Sequence, residues 1–307
     1  MVKDRNSDIE RGMALVPRLS EIMPDQADGA LYRVYEETRQ TLRVPFVNFI
    51  FRVLANYEDF LVPEWDRLRP WARTMRFERE ADAIRSVALL DPAPALAGAD
   101  WPTIGDLGRI RPFTDSIHYV LPKLLLLATA MDEKLGEQRP ETGQLAASDA
   151  GFDDVLPCGV AADSLAVPMV DPEQANPALR DLFDRIKTRH AHPGVATYYR
   201  SLGHWPAFLE TAWDRIEPLV GTPAYEACKQ VVIERALTAF STVPAHHERD
   251  ALGAIHCNLP AGVVGDLRAA LAVFRFRLIP DLLLDVTLVR AMLDGPDTAC
   301  RSRFSVH

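Results

Sequence analysis

Thr197, Tyr198 and Tyr199 stand side by side in the stretch HPGVATYYRSLGHWPAFL, residues 192–209. A threonine hydroxyl beside two phenols can bind or orient a small polar ligand, or it can pack with its hydroxyls satisfied by backbone. Asn48 interrupts the apolar run VPFVNFIFRVLANYEDFL (44–61), where a buried amide needs partners and can hold a carboxylate, a water or a turn. Arg275 and Arg277 lie inside the otherwise apolar LAVFRFRLIPDLLL. A guanidinium buried there requires a carboxylate, which makes Arg275 a candidate for substrate contact, with Asp281 or Asp285 as the internal alternative. His190 and His192 form H-x-H, and His246, His247, His256 and Cys257 follow, but these spacings match no closed or catalytic zinc pattern. No metal is expected. Glycine-rich phosphate loops are also absent, so no nucleotide cofactor has a docking sequence, and none is expected.

The elements that carry these residues occur twice. Residues 44–70 and 192–218 align without a gap, with ten identities in twenty-seven positions, at a displacement of 148. Upstream, ALYRVYEETR (30–39) meets ALRDLFDRIK (178–187), and a Val-Pro introduces each copy, at Val16-Pro17 and Val167-Pro168. Leu31, Val34, Tyr35 and Thr38 fall at i, i+3, i+4 and i+7, as do Leu179, Leu182, Phe183 and Ile186, which is the stripe of a core-facing helix. Strand alternation is not sustained anywhere, so the fold class is all-α. FEREADAIRSVALL (77–90) answers YEACKQVVIERALTAF (225–240), and the apolar segments after Pro122 and Pro280 match, each proline opening a helix or kinking it.

This organisation predicts a first helical repeat over 1–135, a linker over 136–164 rich in Gly, Pro, Ser and Asp, and a second helical repeat over 165–307. Two pseudo-symmetric repeats enclosing a central cleft would offer the default place for a small ligand. Within that frame Thr197-Tyr198-Tyr199 falls opposite Phe49-Ile50-Phe51, and Ala196 opposite Asn48. The second copy is polar where the first is apolar.

A chain of 307 residues accommodates two such modules. The net charge of −9 and pI near 5.4, with no basic stripe, argue against nucleic acid. The longest apolar run, LLLLATAM (124–131), falls well short of the roughly 20 residues that span a bilayer, so no membrane partner is expected. Four sparse cysteines and a polar N-terminus suit the cytoplasm, and a homodimer would be ordinary for such a chain.

TLRVPFVNFIFRVLANYEDFL (41–61), PKLLLLATAM (122–131), HPGVATYYRSLGHWPAFL and the closing MLDG (292–295) together resemble the DehI family, the group I 2-haloacid dehalogenases, over nearly the whole chain. The resemblance implies an all-helical cleft in which an aspartate activates water to displace halide at C2 of a short acid, an asparagine holds that water, and no covalent ester or cofactor intervenes. It puts the family's aromatic pocket pair on Phe46 and Phe49, its aspartate on Tyr198, its asparagine on Leu121 and a pocket tyrosine on Leu124. The hydrolytic pair is therefore replaced. A phenol with an ordinary pKa of about 10 is scarcely ionised at neutral pH, and apolar surroundings raise it further.

On the helix that supplies the family's asparagine, His118 becomes the best remaining general base, with Tyr119 beside it as a pocket residue. The expected ligand is a small carboxylic acid contacted by Phe46, Asn48, Phe49, Tyr119, Leu121, Leu124, Ala196, Thr197, Tyr199 and Arg275, with His118 and Tyr198 as the catalytic candidates. Three functions fit: displacement or elimination at a carbon bearing a leaving group, an intramolecular cyclisation or lyase step whose substrate brings its own nucleophile, and binding of a small acid without turnover.

Overall fold

The computed structural model describes residues 5–91, 93–94, 98–135, 155–241, 259–304 and 306. Its first half folds into α1 (Arg5–Leu15), α2 (Gly29–Leu42), α3 (Phe49–Leu54), α4 (Glu58–Ala72), α5 (Met75–Arg85), α6 (Trp101–Ile104) and the long α7 (Leu107–Leu135). The second half adds α8 (Pro177–His190), α9 (Thr197–Leu202), α10 (Pro206–Ile216), α11 (Pro223–Ser241), α12 (Ala261–Val273), α13 (Ile279–Asp294) and α14 (Pro296–Ala299). Among the described residues the one extended pairing is an isolated bridge between Thr74 and Val155. The fold is all-α, as the missing strand alternation requires.

Helix ends recur at the displacement of the two sequence stretches. Both α2 and α8 have 14 residues, and α3 and α9 have 6 each. The stripe of α2 buries Leu31, Val34, Tyr35 and Thr38, and that of α8 buries Leu179, Leu182, Phe183 and Ile186, so 3.6-residue periodicity alone locates both core faces. Each helix closes on a left-handed residue that is not glycine, Arg43 at φ 65° and Ala191 at φ 50°. Such a residue bends the chain sharply, which delivers the segments 44–48 and 192–196 to the start of the next helix.

The chain packs into two compact units, and neither is one copy. Residues 1–81, 123–160 and 236–276 make one unit, and 82–122, 161–235 and 277–307 make the other. The halves thus exchange segments of equal length, 82–122 against 236–276. In unit 1, α1 lies along α12 of the second half, with Gly12 facing the Ala269 backbone so closely that a side chain there would overlap its carbonyl oxygen. The end of the expected linker also packs in unit 1: Leu156 N–H donates to Arg73 O at 2.7 Å and Gly159 N–H to Gln40 O at 3.0 Å. Residues 136–154 of that linker lie outside the described residues.

Two prolines shape the long helices differently. Pro122 sits inside α7, where it lacks the N–H owed to the His118 carbonyl. The Arg85 guanidinium serves that turn instead, donating to His118 O at 3.5 Å and to Tyr119 O at 2.9 Å. Pro280 stands near the start of α13, directly after a π-helical turn over Phe274–Leu278 that carries Arg275 and Arg277. No helix among the described residues is long and apolar enough to cross a membrane.

Candidate functional site

In unit 2, two carboxylates one helical turn apart on α13, Asp281 and Asp285, point into the core and gather a polar cluster from three other helices and one loop. Asp285 accepts hydrogen bonds from Tyr199 of α9, at a very short separation, and from Tyr225 of α11 at 2.9 Å. His190, at the end of α8, brings Nε2 to 2.8 Å from Asp285 Oδ2, a charge contact poorly aligned for an N–H···O bond. Asp281 meets His192 Nε2 at 2.9 Å and the Lys229 ammonium at 3.0 Å, while Arg277 stands 4.0 Å away. The Tyr225 hydroxyl also reaches the Asp281 carbonyl at 3.0 Å. Trp213 closes the cluster, edge-on to Tyr199 and tilted against His190.

Burial and charge set the protonation states. Burial raises the phenols of Tyr199 and Tyr225 well above their ordinary value, and the nearby Asp285 raises them further, so both remain donors. Burial is the largest influence on His190 and lowers its pKa, but Asp285 and then Asp281 outweigh it and hold the imidazole above its usual value. On His192 burial prevails over Asp281 and the pKa falls. For Asp281 burial acts upward, yet the contacts with His192, Lys229 and His190 together bring it below the usual carboxylate range.

His190, His192 and Asp281 could each offer a metal one ligand atom, and these atoms lie within 4.8 Å of one another. The arrangement does not suit an ion. The imidazoles stack at 4.7 Å with 15° between their planes, so their in-plane lone pairs run side by side instead of converging, and Lys229 already supplies a cation to Asp281.

Unit 1 holds first-copy counterparts of these residues; five are apolar, while Asp281 answers to Lys123, buried against Glu78. At the 148-residue displacement His190, His192, Tyr199 and Tyr225 correspond to Leu42, Val44, Phe51 and Phe77, and counted from Pro122 and Pro280 Asp285 corresponds to Leu127. All five are buried. Packing is preserved while polarity changes: Phe51 meets Trp65 edge-on at 5.7 Å, as Tyr199 meets Trp213 at 6.0 Å. Asp285 and Tyr225 were not among the sequence candidates for a site; the spacing of Asp281 and Asp285 within an apolar helix was the signal that could have found them.

Tyr198 is fully enclosed, stacked on Phe113 with centroids 5.7 Å apart and hydrogen-bonded to Thr114 Oγ1 at 3.2 Å. Burial pushes its phenol further from ionisation, which disfavours it as a base. Tyr199, expected to contact substrate, gives its hydroxyl to Asp285 instead. Ala196 and Thr197 are half-buried where α9 begins.

His118 departs from the expectation of a general base. Its Nδ1 accepts a hydrogen bond from Arg290 at 3.0 Å, so the lone pair a base would use is occupied and Nε2 carries the proton. Burial, then the charges of Arg290 and Arg85, hold its pKa well below the usual value. Arg290 in turn meets Asp115 at 3.0 Å and Arg303 meets it at 3.4 Å. Tyr119, expected in the pocket, is buried with Phe304 against its ring at 5.4 Å and the Arg85 guanidinium over its face. Leu121, on the same helix, is buried too.

Arg275 requires the clearest correction as a substrate contact. Its guanidinium is taken by Asp132 and Glu133, each at 2.6 Å, and neither Asp281 nor Asp285 is its partner. It is a buried internal ion pair of unit 1. Phe46, Asn48, Phe49 and Leu124 belong to the same unit. Phe49 packs edge-on against Phe274 at 5.4 Å, Phe46 is half-buried and Leu124 is buried. The Asn48 amide is nearly buried at the N-cap of α3, does not cap that helix, and has no side-chain hydrogen bond among the described residues. His246, His247, His256 and Cys257 lie outside those residues.

The family model for halocarboxylic acid dehydrogenase DehI matches residues 45–191. A configuration-inverting 2-haloacid dehalogenase of Alcaligenes xylosoxydans xylosoxydans is 30% identical over 308 residues, covering 95% of this chain and 99% of the relative. The chain belongs to the DehI family. An (R)-2-haloacid dehalogenase of Pseudomonas putida is 29% identical over 270 residues, 85% of this chain and 88% of its own. Solved structures of D-2-haloacid dehalogenase are similar to this chain. A D-2-haloacid dehalogenase mutant with D-2-CPA superposes with a TM-score of 0.76, and the enzyme with L-LA superposes with 0.75. Both are 28% identical and cover 89% of this chain, with 95% and 96% of their own.

Proposed function

We propose that this protein is a dehalogenase-type enzyme acting on a small 2-halocarboxylic acid, by displacement or elimination at the carbon that bears the leaving group. The likeness to an inverting 2-haloacid dehalogenase along almost the whole of both chains carries this reading. Side chains support it unevenly. Phe46 and Phe49 keep the aromatic pair the resemblance implies, and the uncommitted amide of Asn48 can donate to a carboxylate. Tyr198 stands at the position of the water-activating aspartate, and in this reading it shapes the site without taking a proton. The same reading has the enzyme work without a cofactor, in the cytoplasm and as a homodimer; the free thiols of Cys158, Cys228 and Cys300 suit a reducing compartment.

Chloride release and chiral analysis of the lactate formed from (R)- and (S)-2-chloropropionate test it. Enzyme-dependent chloride from either enantiomer is the expected result; none from a panel of short 2-haloacids overturns it.

The buried, donor-only state of Tyr198 and the occupied lone pair of His118 favour a second reading, a cyclase or lyase whose substrate carries its own nucleophile. Such a step needs no activated water, because proximity alone lowers its barrier by several kcal/mol, up to about 7–11. A protein that only binds small acids is the remaining alternative. The pair Tyr198→Asp with Leu121→Asn separates these: newly gained chloride release points to a sound scaffold lacking its base, and stabilisation by 2-chloropropionate without turnover points to binding alone.

A further inference from the structure

The two units allow an internal comparison, since five matched core positions are apolar in unit 1 and polar in unit 2, although unit 1 also buries the Lys123–Glu78 ion pair. Leu42, Val44, Phe51, Phe77 and Leu127 fill unit 1 with no buried unpaired group among them. At the matching places the side chains of two histidines, two tyrosines and an aspartate are buried in unit 2. Burying polar groups weakens a fold relative to apolar packing of similar volume, and unit 1 fills these five matching places without them.

What the polar groups do is visible in where they hold. Asp281 and Asp285 lie at i and i+4 on one face of α13. The first takes His192 and the second takes Tyr199, which are the two ends of the segment 192–199. Between those ends lie Ala196, Thr197 and Tyr198, and the family resemblance puts its catalytic aspartate on the last of these. In the first copy the same ends are Val44 and Phe51, held by packing alone. Side-chain packing tolerates small sliding, whereas hydrogen bonds to one rigid helix face fix both position and rotation.

We propose that Asp281 and Asp285 are positioning residues that clamp the segment 192–199 at both ends for the chemistry of unit 2, through His192 and Tyr199. This deepens the proposed dehalogenase-type function and rests on it. Tyr225 and His190 complete the hold on Asp285, and Lys229, with Arg277 beyond it, balances Asp281.

The test installs the first-copy residues together, as His190→Leu, His192→Val, Tyr199→Phe, Tyr225→Phe and Asp285→Leu, leaving the Lys229–Asp281 pair in place. A folded protein with Tm equal to or above the parent is expected, with kcat for 2-chloropropionate reduced at least about tenfold and KM changed far less, because misplacement acts mainly on the reacting geometry. Unchanged kcat and pH profile overturn the proposal, and so does loss of folding, which assigns the cluster to stability. Asp285→Asn, isosteric but able to accept from only one of the two phenols because its Nδ2 donates, supplies a second variant. It should fold, lower kcat by at least about threefold and shift the acid limb of the pH profile, and parental values in it count against the clamp. Hydrogen exchange of residues 196–202 reads the clamp without turnover. Faster exchange in the five-fold variant supports the clamp, and equal exchange refutes it, even in a protein whose parent releases no halide and so fails the functional reading alone.

Discussion

Glu78 Oε2 and Lys123 Nζ lie 2.7 Å apart in the core of unit 1, both side chains only 1% exposed. Lys123 directly follows Pro122, and in unit 2 the residue that follows Pro280 is Asp281, which meets Lys229 at 3.0 Å. Each unit therefore buries an ion pair at the same turn of its long helix, with the signs exchanged. Among the described residues Glu78 Oε1 finds no hydrogen-bond partner, so its carboxylate relies on the lysine. Lys123→Ala should destabilise the protein by about 3–5 kcal/mol in urea unfolding, because one buried charge is left uncompensated. Lys123→Met with Glu78→Gln should cost far less. A single variant as mild as the double would show that the pair carries no such weight.

Acid should unfold the protein earlier than an ordinary set of surface carboxylates implies. His118 and His192 have folded pKa values below the unfolded value of about 6.5, so their contribution is complete above that pH and is lost as the pH falls toward each depressed value. His190 acts in the opposite sense: its raised pKa stabilises the fold at low pH, and that part fades as the pH rises through it. Equilibrium unfolding followed from about pH 7 down to 5 should show stability falling, and His118→Asn should flatten the curve. An identical slope in the variant would contradict the buried, neutral state of His118.

Gly12 permits the close approach of α1 to α12, so Gly12→Ala should destabilise by about 1–3 kcal/mol through overlap with the Ala269 backbone, which cannot move aside as a side chain can. Gly194→Ala, with open space around it and no left-handed backbone, is the control and should leave Tm unchanged. Thermal melts of both variants decide it.

The exchanged segments make each half of the chain dependent on the other. Residues 1–160 expressed alone lack 236–276, which includes the helix that covers α1, and should remain unfolded by circular dichroism and proteolysis. Mixing with 161–307 should restore protection. A stable, protease-resistant N-terminal half would show that the unit does not need its borrowed segment.

Local structure was legible in the sequence, because a stripe such as Leu31, Val34, Tyr35 and Thr38 encodes its own helix and its buried face. So was the polarity change at Tyr199 against Phe51, which marks the cluster although sequence alone suggests substrate contact there. Pairings made across long stretches of chain were not. Arg275 had two acids close by in sequence, yet Asp132 and Glu133, far upstream, hold it, since charge pairing depends on which helices meet. His118 read as a base because residue type reports an ordinary pKa, whereas the arginine that occupies its Nδ1 arrives from α13. The segment exchange is hidden for the same reason, because duplicated sequences look alike whichever copy they pack against.

Tyr198 allows the most direct test of whether a phenol takes the role that the family resemblance gives to an aspartate. Its hydroxyl makes one hydrogen bond, to Thr114 at 3.2 Å, and burial keeps it protonated. Tyr198→Phe keeps the stack on Phe113 and removes only that bond, so stability should fall by about 1 kcal/mol. If the phenol plays no part in proton transfer, kcat and its pH profile for 2-chloropropionate should stay within about twofold of the parent, the level expected when no transition-state interaction is removed. A fall of about a hundredfold or more, the scale of a lost general acid or base, would return Tyr198 to the chemistry and overturn its assignment as a packed donor.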